Sequence, residues 1–218
     1  MPIIEDFQIY LNVKEILRLL RGGNSTKARN REVPQGLLQE IKEMKEIAID
    51  LIKPRGIYNI FNSTNLVPRF LFEKSERTVL SVCTIGENLE KKCSEFMKRG
   101  KLSKGVILDA IASHAAEETA EYVNQKILKE IVQAIKGKEI TCRFSPGYCK
   151  WSLEEGQKLI FNLLQTASIE VSLTKSMMMR PVKSVSFAIN TGLEVDKELG
   201  IKNCETCDLI NCAYRKVK

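Results

Sequence analysis

"IEVSLTKSMMMRPVKSVSFAI", residues 169–189, is the stretch on which the fold reading turns. Its ends, "IEVSL" and "SVSFAI", alternate apolar and polar residues as half-buried strands do, and Pro181 stands between them. Upstream, "TVLSVCTIG" (78–86) is β-branched and closes on a glycine, so it predicts a third strand over residues 78–85. Strands and helices do not alternate regularly along this chain, and it has no glycine-rich phosphate loop. A doubly wound parallel sheet is therefore disfavoured. The order predicts an α+β fold, with helices packed on a twisted antiparallel sheet.

The helices are legible from spacing and caps. Asn12 precedes Val13, Ile16, Leu17 and Leu20 before a Gly22-Gly23 stop. Leu37, Ile41, Met44, Ala48 and Leu51 form a second apolar stripe that Pro54 ends. Leu89, Cys93, Phe96 and Met97 share one side of a third helix. A long helical segment follows from about 102 to 135, presenting Ile107, Ile111, Ala115, Tyr122, Ile127, Ile131 and Ile135 to a core and closing at Gly137. "SLEE" offers Ser152 and Glu155 as a capping box for a helix that buries Leu159, Ile160, Leu163 and Leu164. These elements divide into a helical N-terminal region (1–75), an α+β core (76–195) and a cysteine-containing tail (196–218), expected to form one compact domain.

The chain has 218 residues, 44% hydrophobic and 28% charged, within the range of a soluble globular protein. No apolar run approaches the roughly 20 residues that cross a bilayer, and "MPIIEDFQIY" is not a signal peptide. A cytoplasmic protein with no membrane role is expected. The net charge of +7 favours an acidic partner, but the basic residues are spread along the chain. Nucleic-acid binding ranks last, as nothing concentrates that charge on a groove.

Between the long helix and the Ser152 helix lies "RFSPGYCKW" (143–151), which holds the only tryptophan. Two readings stand side by side. Pro146-Gly147 can be a type II turn, with Tyr148 and Trp151 packed on the core and Arg143 paired to a nearby acid. Alternatively, Arg143 grips a ligand carboxylate with two parallel hydrogen bonds, Gly147 lets the ligand approach the backbone, and Tyr148 supplies an aromatic face. The positive end of the Ser152 helix then adds to a site for a small anionic or zwitterionic ligand.

The same residues carry a resemblance. "RFSPGYCKWSLEEGQKLIFNLL" resembles the Arg-x-x-x-Gly-Tyr loop and following helix of the activation domain of cobalamin-dependent methionine synthase. The block "IEVSLTKSMMMRPVKSVSFAI" is similar to that family's Leu-Thr-x-Ser, Met-x-Pro and Ser-Val-Ser run, and "LDAIASHAAEETAEYV" resembles its Ala- and Glu-rich helix. The likeness spans about residues 78–190. It implies that Arg143 binds the carboxylate of S-adenosylmethionine, that Gly147 and Tyr148 line the pocket, and that Glu117 meets the ligand's amino group or ribose. It implies an accessory component of a methyltransferase, acting in trans on a methionine synthase that lacks this domain. The partner would carry the cobalamin, and flavodoxin or another acidic donor would supply the electron for reductive methylation. Two departures stand out. The family's Tyr-Phe is Ile189-Asn190 here, and its N-terminal aspartate has no counterpart in "IYLNVKEIL".

The seven cysteines suit free thiols, metal or redox chemistry in a reducing compartment. Cys204, Cys207 and Cys212 have C-x2-C-x4-C spacing, which suggests a zinc or iron-sulfur site, with Cys142, Cys149 or an outside group as fourth ligand. The rival function follows from that tail: a metal or iron-sulfur redox accessory protein activating another corrinoid protein. His114 among alanines reads as a packed helical residue, Met177, Met178 and Met179 as flexible core filler, and Cys83 and Cys93 as buried small hydrophobes.

Overall fold

The computed structural model describes residues 1–21, 32–134, 138–148, 150–196 and 199. Its main sheet has five antiparallel strands: β1 (Ile3–Ile4), β2 (Arg55–Asn62), β3 (Arg77–Thr84), β4 (Glu139–Ile140) and β7 (Ser184–Gly192), in the order β1-β2-β3-β7-β4. A separate two-stranded hairpin joins β5 (Ser172–Leu173) to β6 (Met179–Arg180). The antiparallel α+β expectation is met.

The helices are α1 (Val13–Leu20), α2 (Gln35–Leu51), α3 (Arg69–Phe72), α4 (Asn88–Lys98), α5 (Leu102–Ala134) and α6 (Leu153–Leu163). Asn12 caps α1 by accepting from Lys14 N–H at 2.9 Å. α5 is the organising element: 33 residues, about 50 Å at 1.5 Å per residue. The first part of its apolar side, with Ile107, Leu108 and Ile111, meets Ile16 of α1, Ile41 and Met44 of α2 and Leu89 of α4. Further along, Ala120, Val123 and Ile127 pack on Tyr58, Val79, Phe187 and Ile189 of the sheet. The opposite sheet face, with Ile57, Leu80, Val82 and Ala188, is covered by Phe72, Phe144, Trp151 and Ile160. The sheet is therefore buried on both sides.

That double burial corrects the reading of "SVSFAI". From Ser186 to Gly192 every residue of β7 is buried, so the strand is not half-exposed. "IEVSL" is corrected as well: Thr166–Ile169 forms a 3-10 turn, and only Ser172 and Leu173 are extended, in the small hairpin. The first 75 residues are not purely helical, because Arg55–Asn62 pairs along the full length of β3. "RGIYNIFN" is punctuated by Gly56, Asn59 and Asn62, residues poor in intrinsic strand preference, and tertiary pairing overrides that preference. Met97 is 43% exposed and so stands off the buried face of α4.

Gly56 marks the closest approach of α5 to the sheet. A Cβ placed there would lie 2.8 Å from Cγ2 of Val123. Gly56→Ala therefore forces the long helix away from β2. The expected cost is about 1–3 kcal/mol, read as a lower denaturant midpoint in equilibrium unfolding; an unchanged midpoint would show that α5 does not press on β2.

Candidate functional site

The loop 143–151 is assembled from backbone outward. Phe144 and Ala188 exchange both backbone hydrogen bonds, at 3.0 and 2.7 Å, which fastens the loop to β7. Tyr148 N–H donates to the Ser145 carbonyl at 3.1 Å, and Gly147 between them has φ of +88°. That is the type II turn, whose third position favours glycine. Gly147 N–H then donates to the Trp151 carbonyl and Trp151 N–H to the Tyr148 carbonyl, each at 2.8 Å. Trp151 is 1% exposed and meets Phe72 edge-on at 5.7 Å between centroids. Gly156 of α6 leaves no room for a side chain, since a Cβ there would be 2.7 Å from Pro146. Ser152 caps α6, accepting from Glu155 N–H at 3.5 Å.

The turn forms one wall of a cleft of about 520 Å³, a volume suited to a small organic ligand. Of the residues expected at a site, Arg143, Tyr148 and Glu117 all line it. Gly147 makes the turn and is not part of the cleft wall. Arg143 donates from Nη2 to Glu117 of α5 at 2.7 Å, with Glu121 at 3.8 Å from its Nε. Its guanidinium carbon also lies 5.9 Å from the Phe187 ring centre. Burial works against the charge on Arg143, but the carboxylate and hydrogen bond of Glu117, with Glu121, outweigh it, and its pKa is raised above the ordinary value. Of the two readings, the turn, the packing of Trp151 and the acid partner of Arg143 are present, but Tyr148 is exposed and not packed on the core; Arg143 also lines the cleft.

Sequence reasoning missed the opposite side. Met177, Met178 and Met179 all line the cleft; Met178 is 52% exposed and is not core filler, whereas Met179 is partly buried and packs against the core that holds Phe72, Phe144 and Trp151. The signal was present in the run of three methionines, but nothing local shows that a hairpin turns Met178 outward. Gln157 and Ser186 complete the floor. Helical spacing placed the neighbours of Gln157 inside and gave the glutamine itself no role.

Other sequence assignments find their places. His114 is buried and accepts the Asn12 N–H at 3.0 Å on Nε2, so it is a packed helical residue. Cys83 and Cys93 are buried free thiols; burial pushes Cys83 up to about 12 and Cys93 to about 11. Ile189 is buried beneath α5, and Asn190 joins a buried network, accepting from Thr78 Oγ1 at 2.8 Å and donating to the Leu71 carbonyl at 2.7 Å. Neither lines the cleft. Cys204, Cys207, Cys212 and Cys149 lie outside the described residues. Among the described residues no group of three or more metal-binding side chains occurs, and no helix is long and apolar enough to cross a membrane.

Residues 72–216 match the model of the vitamin B12 dependent methionine synthase activation domain. The chain belongs to this family. Among solved structures it is similar to the MetH reactivation domain bound to AdoHcy, with a TM-score of 0.57 and 18% identity over 77% of this chain and 69% of that one. That similarity extends the shared fold upstream of the family match. No curated protein matches the sequence. In this activation-domain chain, the Arg-x-x-x-Gly-Tyr run folds as a buttressed turn at the edge of the cleft.

Scaffold and cleft residues of the loop separate energetically. Trp151→Ala empties a fully buried ring site and is expected to lower unfolding free energy by about 3–5 kcal/mol. Tyr148→Ala, at a position 43% exposed, is expected to cost no more than about 1 kcal/mol. Urea melts of the two variants test this; similar losses would place Tyr148 in the core instead.

Proposed function

We propose that this chain binds S-adenosylmethionine in the cleft between the Arg143–Tyr148 turn and the Met177–Met179 turn, and presents its methyl group to the cobalamin of a partner methionine synthase. The observation that carries the reading is the convergence of Arg143, Tyr148 and Glu117 on one cleft in a chain of the activation-domain family. Membership alone concerns the partner enzyme, whereas the cleft supplies a place for the ligand.

The residues fit a zwitterionic ligand. The fork of Arg143 matches a carboxylate, and to take one it exchanges all or part of its contact with Glu117. Glu117, once released, is a carboxylate beside the ligand's ammonium group. Tyr148, 43% exposed at the mouth, covers the ligand from solvent with its ring. Once reduced by one electron from the donor, the partner's cobalamin would supply the electron pair that accepts the methyl group, the sulfur keeping the pair of the broken carbon–sulfur bond, while Arg143, Glu117 and Tyr148 would hold the methyl donor in place. No proton moves in that transfer. The work of this chain is to orient the sulfonium and limit access of water, so no acid or base residue is assigned.

The reading further places the protein in trans on a methionine synthase without its own activation domain. The net charge of +7 suits docking of a flavodoxin or another acidic electron donor. A cytoplasmic setting accords with Cys83 and Cys93 remaining free thiols.

Calorimetric titration with S-adenosylmethionine tests the site. The wild type is expected to bind saturably. Arg143→Ala, which removes a charged bidentate contact, is expected to weaken binding by at least about thirtyfold, equivalent to about 2 kcal/mol. Equal binding by the variant would remove Arg143 from the site; no binding by the wild type, with and without the partner enzyme, would overturn the reading.

A further inference from the structure

One polar group at the cleft is not used by the contacts assigned above. Gln157 is only 4% exposed, yet it belongs to the cleft lining. Its Oε1 accepts a hydrogen bond from Ser186 Oγ at 3.1 Å, which fixes the amide plane. Its Nε2 has no partner among the described residues. That donor is not sealed off, since Gln157 Nε2 is not among the buried side-chain atoms left without a partner; it opens onto the cleft, where water or a ligand completes it.

Across the cleft stands the methionine turn. Met177 adopts φ of +61°, a left-handed conformation that is unusual for a residue with a side chain. Thr174 holds it there: its N–H donates to the Met178 carbonyl at 2.9 Å, its carbonyl accepts from Met177 N–H at 3.0 Å, and its Oγ1 accepts from Met178 N–H at 3.1 Å. The result is a thioether surface on the cleft, with Met178 exposed and Met179 resting partly on the core, fixed by a tight local network. Thioethers pack favourably against aromatic rings. The aromatic residue of β7, Phe187, does not compete for this place, because it is buried against the long helix and does not line the cleft.

We infer that Gln157 and the methionine turn form the adenosyl end of the ligand site. Nε2 donates to an acceptor of the adenosyl group, a ring nitrogen or a ribose hydroxyl, while the thioethers of Met177–Met179 cover the purine face. A neutral amide donor matches neutral acceptors, just as the charged Arg143 matches the carboxylate at the other end. The inference rests on the S-adenosylmethionine reading and assigns each half of that ligand its own residues.

The test compares S-adenosylmethionine with its decarboxylated form, which keeps the adenosyl group and the sulfonium but lacks the carboxylate. Affinities are measured by calorimetry on the full chain for wild type, Gln157→Leu, Gln157→Glu, Met178→Gln and Arg143→Ala, each checked by its melting curve. Gln157→Leu is expected to weaken both ligands equally, by about fivefold. Gln157→Glu keeps an acceptor for Ser186 while removing the donor, so it reproduces the loss even if the leucine variant folds poorly. Met178→Gln, similar in length, is expected to weaken both ligands about threefold. Arg143→Ala is expected to weaken only the carboxylated ligand.

Wild-type affinity in both Gln157 variants would overturn the inference and leave the Arg143 site standing. A Gln157 effect seen only with the carboxylated ligand would also overturn it, by assigning the amide to the carboxylate. No binding of either ligand by the wild type would overturn this inference together with the reading beneath it.

Discussion

The ladder between β3 and β7 is the constraint on which the rest depends. It joins Arg77–Thr84 to Ser184–Thr191 in continuous antiparallel register, across the 99 intervening residues 85–183. Each of its faces has its own cover, α5 on one side and the Phe72, Phe144 and Trp151 rings on the other. β7 also fastens the loop, because Ala188 is the residue that exchanges hydrogen bonds with Phe144. Its start, Ser184 to Ser186, lies at the wall of the cleft. One strand therefore sets the sheet, anchors the turn and borders the site.

The cleft is polar at its floor and apolar at its rim. Gln157 and Ser186 are buried at its floor and Arg143 is largely covered, whereas Tyr148, Leu153, Met178 and Val182 are exposed at 40% or more, with the Glu117 carboxylate exposed beside them. A ligand with a charged end and a less polar one meets both surfaces in one orientation. Lys183 steadies the rim from behind: its Nζ reaches Asp109 and Ser113 of α5 at 2.8 Å, and its N–H donates to Glu90 of α4 at 2.6 Å. These contacts tie the segment between Pro181 and β7 to two helices, so the wall has little freedom to drift.

Helix starts and apolar stripes were legible because they are local. The Asn12 and Ser152 caps, the stripe of Ile41, Met44 and Ala48, and the long run of α5 all depend on spacing within a few turns. β2 was not recognised: Ile57, Tyr58, Ile60 and Phe61 favour a strand, but Gly56 and Asn59 break any regular apolar-polar alternation, and the pairing with β3 that fixes the segment is not local. Met178 misled for a related reason: an apolar run reads as interior unless the hairpin that exposes part of it is known.

By itself the sequence determined the antiparallel α+β class and offered the turn at Pro146-Gly147, and its family motifs singled out Arg143, Gly147, Tyr148 and Glu117, three of which line one cleft. Their residue types and intervals are properties of the chain. Tertiary structure alone decided that Arg143 and Glu117 are partners at 2.7 Å, that Gln157 faces the same cleft with an unused donor, and that Ile189 and Asn190 do not reach it. Those relations join residues from α5, the loop, α6 and β7, and no local spacing encodes a distance between elements whose packing is set by the whole core.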